Sequence, residues 1–239
     1  SPTDRGCSMF QQLGLIGCGL MGGSFALALR RAGLVRRIVG YSRSPATTAR
    51  ARELGVIDAA AGSAREATEG SDLVLVAVPV AATEATLASI REAFAPGVLV
   101  MDVGSTKQDV VAAARRGLGT AHLPAFVPCH PIAGKESAGI DHADADLYRD
   151  RLTVLTPTEA HGDAQLVRAR EVWQAVGCRV EQMAPAAHDE VFAAVSHLPH
   201  LLAFAYINGL GTQPEGPEYL RMGGPGFRDF TRIAASDAQ

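Results

Sequence analysis

A glycine-rich segment near the start of the chain has the spacing needed to hold a phosphate group against the backbone. Gly17, Gly19 and Gly22 fit the pattern Gly-x-Gly-x-x-Gly, between the apolar run Leu13–Ile16 and the helical pattern Ser24–Arg31. In such a strand–turn–helix unit the first glycine permits a tight turn, the second leaves room for a pyrophosphate, and the third lets helix and strand approach closely. The segment therefore predicts a dinucleotide site, with the helix N-terminus facing the phosphates.

The residues after the second predicted strand, Arg37–Tyr41, bear on which dinucleotide is bound. An NAD enzyme usually places Asp or Glu here, to hold the ribose 2′-hydroxyl. This chain has Ser42 and Arg43 instead, which can bind a 2′-phosphate that a carboxylate would repel. We therefore expect NADP rather than NAD, the alternative being that Arg43 is an ordinary surface arginine. Four further residues, beside the glycine loop or at the end of the fourth predicted strand, are expected at the cofactor: Leu20, Met21, Val78 and Pro79.

Polar side chains follow two later strands, at the edge where open parallel sheets bind their ligands. Ser105 and Lys107 follow the predicted strand Val98–Asp102, and His130 follows Phe126–Cys129. Ser105 is also suited to cap the next helix, which is the structural alternative to a role in chemistry. His130 leaves its strand into a loop rich in glycine and proline, which favours a functional role over a purely structural one.

Two histidines lie on the long helical pattern Ala186–Leu210. His197 and His200 are three residues apart and should share one helix face. No carboxylate stands at ligand spacing beside them, so we expect no metal site. Pro199 should kink the helix, because it removes a backbone hydrogen bond and releases a carbonyl near Val195. Such a bend is suited to lining a ligand site.

The basic residues of the chain are distributed unevenly by type. Of 22 lysines and arginines, only Lys107 and Lys135 are lysines, and both fall within the candidate clusters. This bias indicates a need for a compact ammonium group at those positions. Near the end of the chain, either Arg228 or Arg232 is able to hold a substrate carboxylate, and the alternative for each is an ordinary surface charge.

The elements that must position these residues alternate between apolar runs and amphipathic helical patterns. Runs such as Leu73–Val78 are apolar on both faces, which is typical of a parallel sheet covered by helices on both sides. The alternation predicts an α/β fold over residues 1–184, a Rossmann-like, doubly wound and mostly parallel sheet. No strand pattern follows Pro185, so residues 185–239 are predicted as an all-α domain.

The composition excludes several classes of protein. The chain has 239 residues, 47% hydrophobic and 20% charged, which excludes a disordered or collagen-like protein. A net charge of -3 argues against a dedicated nucleic-acid binder. The four cysteines form no CxxC pair, as is typical of a reduced, cytoplasmic protein without structural zinc. No run of eighteen uncharged apolar residues occurs, so we expect no membrane span.

Five motifs together resemble the prephenate/arogenate (cyclohexadienyl) dehydrogenase family of tyrosine biosynthesis. They are GLIGCGLMGGS at 14–24, DVGSTK at 102–107, HPIAGKESAG at 130–139, HDEVFAAVSHLPH at 188–200 and GFRDFTRIA at 226–234. The first is shared with many dehydrogenases, whereas the other four in this order are specific. The resemblance implies an enzyme that oxidatively decarboxylates prephenate to 4-hydroxyphenylpyruvate, or arogenate to tyrosine, with hydride transfer to the nicotinamide cofactor.

The resemblance also implies roles for individual residues. His130 would be the base that takes the proton of the ring 4-hydroxyl, a role suited to a neutral imidazole. Ser105 would hydrogen-bond His130 near the nicotinamide. The SHLPH segment accompanies use of prephenate, so prephenate is expected to be preferred over arogenate. Five residues are expected to bind substrate: Arg232, His197, His200, Glu136 and Lys107.

Two other functions remain open from the sequence. A β-hydroxyacid dehydrogenase would share the glycine loop and would use Lys107 or Lys135 as a catalytic lysine. A non-catalytic NADP-sensing protein would keep the loop without the chemistry. Family members usually carry several more helices, so we expect residues 185–239 to be an incomplete dimerisation region, truncated or naturally short. The expected assembly is a homodimer formed through the C-terminal helices.

Overall fold

The computed structural model describes residues 10–235, which divide into two units. The larger unit comprises residues 10–134 and 138–188, and the smaller comprises 135–137 and 189–235. The division falls a few residues after the boundary expected at 184.

Nine strands and ten α-helices make up the described part of the chain. The strands are β1 Phe10–Ile16, β2 Val35–Tyr41, β3 Ala59–Ala60, β4 Leu73–Val76, β5 Leu99–Asp102, β6 Phe126–Val127, β7 Cys129–Pro131, β8 Leu152–Leu155 and β9 Arg179–Gln182. The helices are α1 Leu20–Arg31, α2 Pro45–Glu53, α3 Ala64–Thr68, α4 Thr83–Ile90, α5 Lys107–His122, α6 Asp163–Ala175, α7 Pro185–Phe192, α8 Leu198–Gly211, α9 Gly216–Met222 and α10 Pro225–Thr231. All nine strands lie in the larger unit.

Six parallel strands form the main sheet, in the order β3-β2-β1-β4-β5-β6. This order is that of a dinucleotide-binding sheet, with the chain reversing direction of growth between β1 and β4. The predicted Rossmann-like fold is therefore confirmed. The crevice for a ligand in such a sheet lies at the carboxyl ends of β1 and β4.

Alternate residues of the central strands enter two separate apolar layers. Leu73 and Leu75 of β4 pack in the layer that contains Phe25 and Trp173, whereas Val74 and Val76 pack in the other layer. Both layers are buried because helices cover each face of the sheet, which explains why the strand has no polar alternation. The carboxyl edge of the sheet is thereby held on a rigid core.

The last three strands form a second sheet, which the sequence patterns did not distinguish from the first. β7 pairs antiparallel with β8, and β8 pairs parallel with β9. The single strand expected over Phe126–Cys129 is split at Pro128 into β6 of the first sheet and β7 of the second. Proline has no backbone N–H to donate to a ladder, so the chain changes sheets there. His130 consequently lies within β7, opposite Val154.

A long helical segment, Pro185–Gly211, includes α7 and α8; its first four residues belong to the larger unit and the rest to the smaller unit. In the described residues this is the one helix long and apolar enough to cross a membrane by length and composition, with a mean hydropathy of 1.3. Only 11% of its apolar window is buried. Its exposed apolar side chains include Leu198, Leu201 and Leu202. The surface formed by these three leucine side chains is called the α8 apolar face below.

Candidate active site

The glycine loop has the backbone conformation that its sequence pattern predicts. Gly17 has a φ of 98°, and a Cβ atom there would lie 2.1 Å from the carbonyl oxygen of Ala77. A Cβ on Gly22 would lie 2.2 Å from the carbonyl oxygen of Gly17. Beside Gly19, by contrast, no atom lies within 4 Å of the place of a Cβ. The loop is thus closed where strand and helix meet and open where a pyrophosphate would pass.

The N-terminus of α1 is suited to an anion. The helix begins at Leu20 after Gly19, with no side-chain cap and no acidic residue in its first turn. The positive end of its dipole is therefore not neutralised by the protein itself. Met21 is fixed in this turn because its carbonyl oxygen accepts a 2.6 Å hydrogen bond from the Tyr148 hydroxyl. The residues present fit a dinucleotide.

Ser42 joins the end of β2 to the glycine loop. Its Oγ accepts a 2.8 Å hydrogen bond from the backbone N–H of Cys18. The hydroxyl keeps its own proton to donate, so Ser42 remains able to bind a phosphate oxygen. The neighbouring Arg43 is exposed. Val78 and Pro79 follow β4, whose carboxyl end lies beside that of β1.

A buried ion pair lies beneath the carboxyl end of β5. Lys107 Nζ lies 2.6 Å from Asp102 Oδ2, and the two side chains are 0% and 2% exposed. Lys107 Nζ also donates to the carbonyl oxygen of Cys129, at 2.6 Å, and Asp102 Oδ1 accepts from the Cys129 N–H at 2.9 Å. Gly104 N–H donates to Asp102 Oδ2. The Asp102–Lys107 pair thus holds both polar backbone groups of the residue that precedes His130.

These contacts correct the expected role of Lys107. A side chain with no exposed surface, engaged by a carboxylate and a carbonyl, does not contact substrate. For the same reason Lys107 is not the catalytic lysine of a β-hydroxyacid dehydrogenase. Asp102 was not predicted as a site residue, although an acidic residue that ends the otherwise apolar strand β5 was a usable signal.

Cys129 is not a nucleophile in this arrangement. Its side chain is buried, and burial raises the pKa of the thiol far above its ordinary value. Its Sγ donates to the carbonyl oxygen of Val127. Cys129 therefore serves through its backbone, as the point where the ion pair holds β7.

His130 makes its side-chain hydrogen bond with another histidine. Its Nδ1 lies 2.7 Å from Nε2 of His188, which is completely buried, whereas His130 is half-buried. The expected hydrogen bond between Ser105 and His130 is not formed. Ser105 is exposed after β5, and Thr106 rather than Ser105 is the N-cap residue of α5. In this structure Ser105 therefore neither caps α5 nor hydrogen-bonds His130.

The other expected substrate residues lie in the smaller unit. Glu136, His197 and Arg232 are exposed and His200 is half-buried. The structure thus places these four in one unit, and Lys107 and His130 in the other. The kink expected at Pro199 takes the form of a π-helical turn, 193–197, in which the Leu198 N–H donates to the carbonyl oxygen of Ala193.

His200 has a defined hydrogen bond on one side of its ring. Its Nδ1 lies 2.7 Å from the carbonyl oxygen of Ser196. A carbonyl oxygen only accepts, so Nδ1 carries a proton. The Nε2 of a neutral His200 is then an acceptor, and that of a protonated His200 is a donor. Among residues 10–235 no cluster of three or more His, Cys, Asp or Glu could hold a metal ion.

Several known proteins are similar to this chain in both sequence and fold. The family model of the prephenate dehydrogenase nucleotide-binding domain matches residues 25–182, and that of the prephenate dehydrogenase dimerization domain matches residues 184–239. Cyclohexadienyl dehydrogenase of Zymomonas mobilis is 34% identical over 96% of this chain and 78% of its own length. Prephenate dehydrogenase of Bacillus subtilis is 34% identical over 93% of this chain, which spans only 60% of that protein.

Solved structures give the same result. Prephenate dehydrogenase of Aquifex aeolicus, in complex with hydroxyphenyl propionate and NAD+, has a TM-score of 0.86 and 37% identity, covering 95% of this chain and 79% of its own. Arogenate dehydrogenase of Synechocystis has a TM-score of 0.77 and 29% identity, covering 95% and 80%. With its glycine loop, its strand order and both domain matches, the chain belongs to the prephenate dehydrogenase family.

Proposed function

We propose that this protein oxidatively decarboxylates prephenate to 4-hydroxyphenylpyruvate and transfers the hydride to NADP. The observation that carries the proposal is the half-buried His130, which is held through Nδ1 within β7, directly after the residue that hydrogen-bonds Asp102 of the dinucleotide-binding sheet. Its other nitrogen, Nε2, is then the atom suited to act as a base. The test is an absorbance assay for NADPH formation with prephenate. A protein that binds NADP without turnover would instead be a sensor.

The proposed reaction moves one proton from the 4-hydroxyl of the substrate to His130 and later back to the same oxygen. When bound, the nicotinamide ring supplies the hydride acceptor. His130 takes the proton of the 4-hydroxyl while the hydride leaves the same carbon, so that the C–O bond becomes a carbonyl. Loss of carbon dioxide then moves an electron pair into the ring and makes it aromatic. The resulting phenolate recovers the proton from His130, which is ready for the next turnover.

Four residues are proposed to bind the side-chain end of the substrate. Arg232 would hold a carboxylate, and Glu136, His197 and His200 would line the same pocket. A protonated His200 donates from Nε2 to the keto acid side chain of prephenate and repels the ammonium group of arogenate. We therefore propose prephenate as the preferred substrate and arogenate as the second. Comparison of kcat/KM for the two tests this, and a strong preference for arogenate would contradict it.

The proposed choice of NADP depends on the end of β2. No carboxylate follows the strand, and the exposed Arg43 lies next to Ser42, which contacts the glycine loop. We expect Arg43→Ala to weaken NADP binding about tenfold, which is about 1.4 kcal/mol, and to leave NAD binding nearly unchanged. Arg37→Ala, at an exposed arginine within β2, is the matched control. Calorimetric titration measures both, and a wild-type Kd lower for NAD than for NADP would refute the proposal.

A homodimer is proposed to cover the α8 apolar face. Leu201 is 64% exposed and Leu202 52% exposed, in a region that matches the family's dimerization domain. Burying such side chains against a second copy removes apolar surface from water, which stabilises the assembly.

The three described cysteines, Cys18, Cys129 and Cys178, are free, which supports the proposed cytoplasmic location.

Leu201→Glu is expected to convert the dimer to a monomer at micromolar concentration, because a carboxylate would be buried in the interface. Light scattering coupled to size exclusion measures the mass. Val167→Glu, at a residue 52% exposed on α6, is the control and should leave the dimer intact. A monomeric wild-type chain, or a chain that floats with phosphatidylcholine vesicles, would contradict the proposal.

A further inference from the structure

The contact between His130 and His188 defines a pair that the motif analysis did not assign. Nδ1 of His130 lies 2.7 Å from Nε2 of His188, and the rings meet edge to face with centroids 5.0 Å apart. His188 is 0% exposed, so it does not reach a substrate. Any effect of His188 on the reaction is therefore indirect, and its contact with His130 provides a route for that effect.

The register of the second sheet fixes this contact. His130 lies opposite Val154 of β8, and Leu155 of β8 lies opposite Gln182 of β9. The chain leaves β9 directly into α7, where the His188 N–H donates to the carbonyl oxygen of Ala184 at 2.9 Å. Two ladders and one helical turn therefore connect the histidines, which leaves little freedom in the distance between the rings.

One proton must lie between the two nitrogens. A neutral imidazole has one N–H donor and one acceptor nitrogen. If Nε2 of His188 donates, His130 carries its own proton on Nε2 and cannot act as a base there. If Nδ1 of His130 donates, Nε2 of His130 bears a lone pair. The first arrangement makes His130 an inactive tautomer, and the second makes it the base.

We propose that His188 is a positioning residue that accepts the Nδ1 proton of His130 and so fixes the basic tautomer. The inference rests on the proposed function, because it assigns the partner of the base in that reaction. During turnover the substrate O–H bond breaks and its proton adds to Nε2 of His130. The Nδ1–H bond to His188 persists and stabilises the imidazolium. The proton on Nε2 returns to the phenolate oxygen, and His188 stays neutral throughout.

A neutral acceptor fits the electrostatics of this position. In serine proteases a carboxylate accepts the hydrogen bond from Nδ1–H of the catalytic histidine. Here the nearby buried carboxylate, Asp102, is engaged by Lys107 and by backbone N–H groups. A second buried carboxylate in the place of His188 would be costly to desolvate. An imidazole supplies the acceptor without the charge.

The first test reads the tautomer directly and requires no substrate. In the ¹⁵N-labelled full chain, the ¹⁵N shifts and couplings of His130 distinguish a protonated from an unprotonated ring nitrogen, with assignment by comparison with His130→Asn. We expect Nδ1 protonated and Nε2 unprotonated at neutral pH. A neutral His130 with its proton on Nε2 would overturn the inference.

The second test compares two variants of His188. His188→Gln keeps an acceptor in its amide oxygen, and His188→Phe removes it at similar volume. We expect His188→Phe to lose about 100-fold in kcat and His188→Gln to stay within about tenfold of wild type, both with little change in KM for prephenate. The Phe variant should also show a mixture of His130 tautomers. His122→Phe, at the far end of α5, is the control.

The outcomes separate this inference from the proposed function. Equal losses in the Gln and Phe variants, or full activity in the Phe variant, would overturn the role of His188. Failure of the wild-type chain to oxidise prephenate would overturn the proposed function, while the tautomer measurement would still report on the histidine pair. If His188→Phe does not fold, the spectrum of the wild-type chain and the Gln variant decide the question.

Discussion

Replacement of His130 by Asn is expected to lower kcat by about 10²–10⁴-fold, because a positioned base contributes that much to the rate. Asparagine keeps a polar side chain of similar reach but cannot take up the substrate proton. Since the proton moves only as the transition state forms, KM for prephenate should change far less than kcat. Initial rates of NADPH formation over a range of prephenate concentrations measure both constants.

The control for this variant is His122→Asn. His122 is a half-buried histidine at the C-terminal end of α5, with its ring 5.9 Å from that of Phe94. It lies at the opposite end of the helix from Lys107, so the control should retain wild-type turnover. Circular dichroism shows whether each variant is folded. Turnover of a folded His130→Asn protein within a few-fold of wild type would remove His130 from the mechanism.

Lys107→Met is expected to lower the free energy of unfolding by about 3–5 kcal/mol, because a buried pair that loses one ion leaves the other uncompensated. For a chain of this size, that loss corresponds to a fall in Tm of about 6–20 °C. The remaining charge is that of Asp102, which is 2% exposed. Thermal unfolding followed by circular dichroism measures the change. Turnover should fall as well, because Lys107 holds the carbonyl of Cys129 next to His130.

Two further variants make this prediction specific. Lys135→Met removes the only other lysine, which is exposed, and should change stability by less than about 1 kcal/mol. The double variant Lys107→Met with Asp102→Asn removes both charges and keeps an acceptor for the Cys129 N–H. It should be more stable than Lys107→Met alone, since no unpaired ion remains. A Lys107→Met protein as stable as wild type would show that the pair does not hold β7.

The glycine loop was predictable because its chemistry is local. Gly17 adopts a positive φ in the turn, and Gly22 packs against the Gly17 carbonyl within the same strand–turn–helix unit, so the sequence pattern reflects these local requirements. The doubly wound, mostly parallel sheet followed from the alternation of apolar runs with helical patterns, whereas the order of its strands was not predicted. The strand β4 was placed at its observed start, Leu73, because its apolar run directly follows the polar residues Ser71 and Asp72.

The histidine pair and the ion pair were not predictable for the opposite reason. His130 and His188 are 58 residues apart, and their contact depends on the register of β7, β8 and β9. Lys107 is one of only two lysines in the chain, which marked it as a candidate, but composition does not reveal that Asp102 is its partner. Pairing between distant segments is decided by packing, which a single sequence does not display.

Pro128 divides the candidate site of this chain between two hydrogen-bonded ladders. The dinucleotide loop belongs to β1 of one ladder, and His130 belongs to β7 of the other. Strain introduced by changing one ladder is therefore not transmitted through backbone pairing to the other, and the Asp102–Lys107 pair is a polar link between them. A substitution on the small ladder can therefore alter the proposed chemistry of His130 while leaving the strand pairing that supports the glycine loop intact.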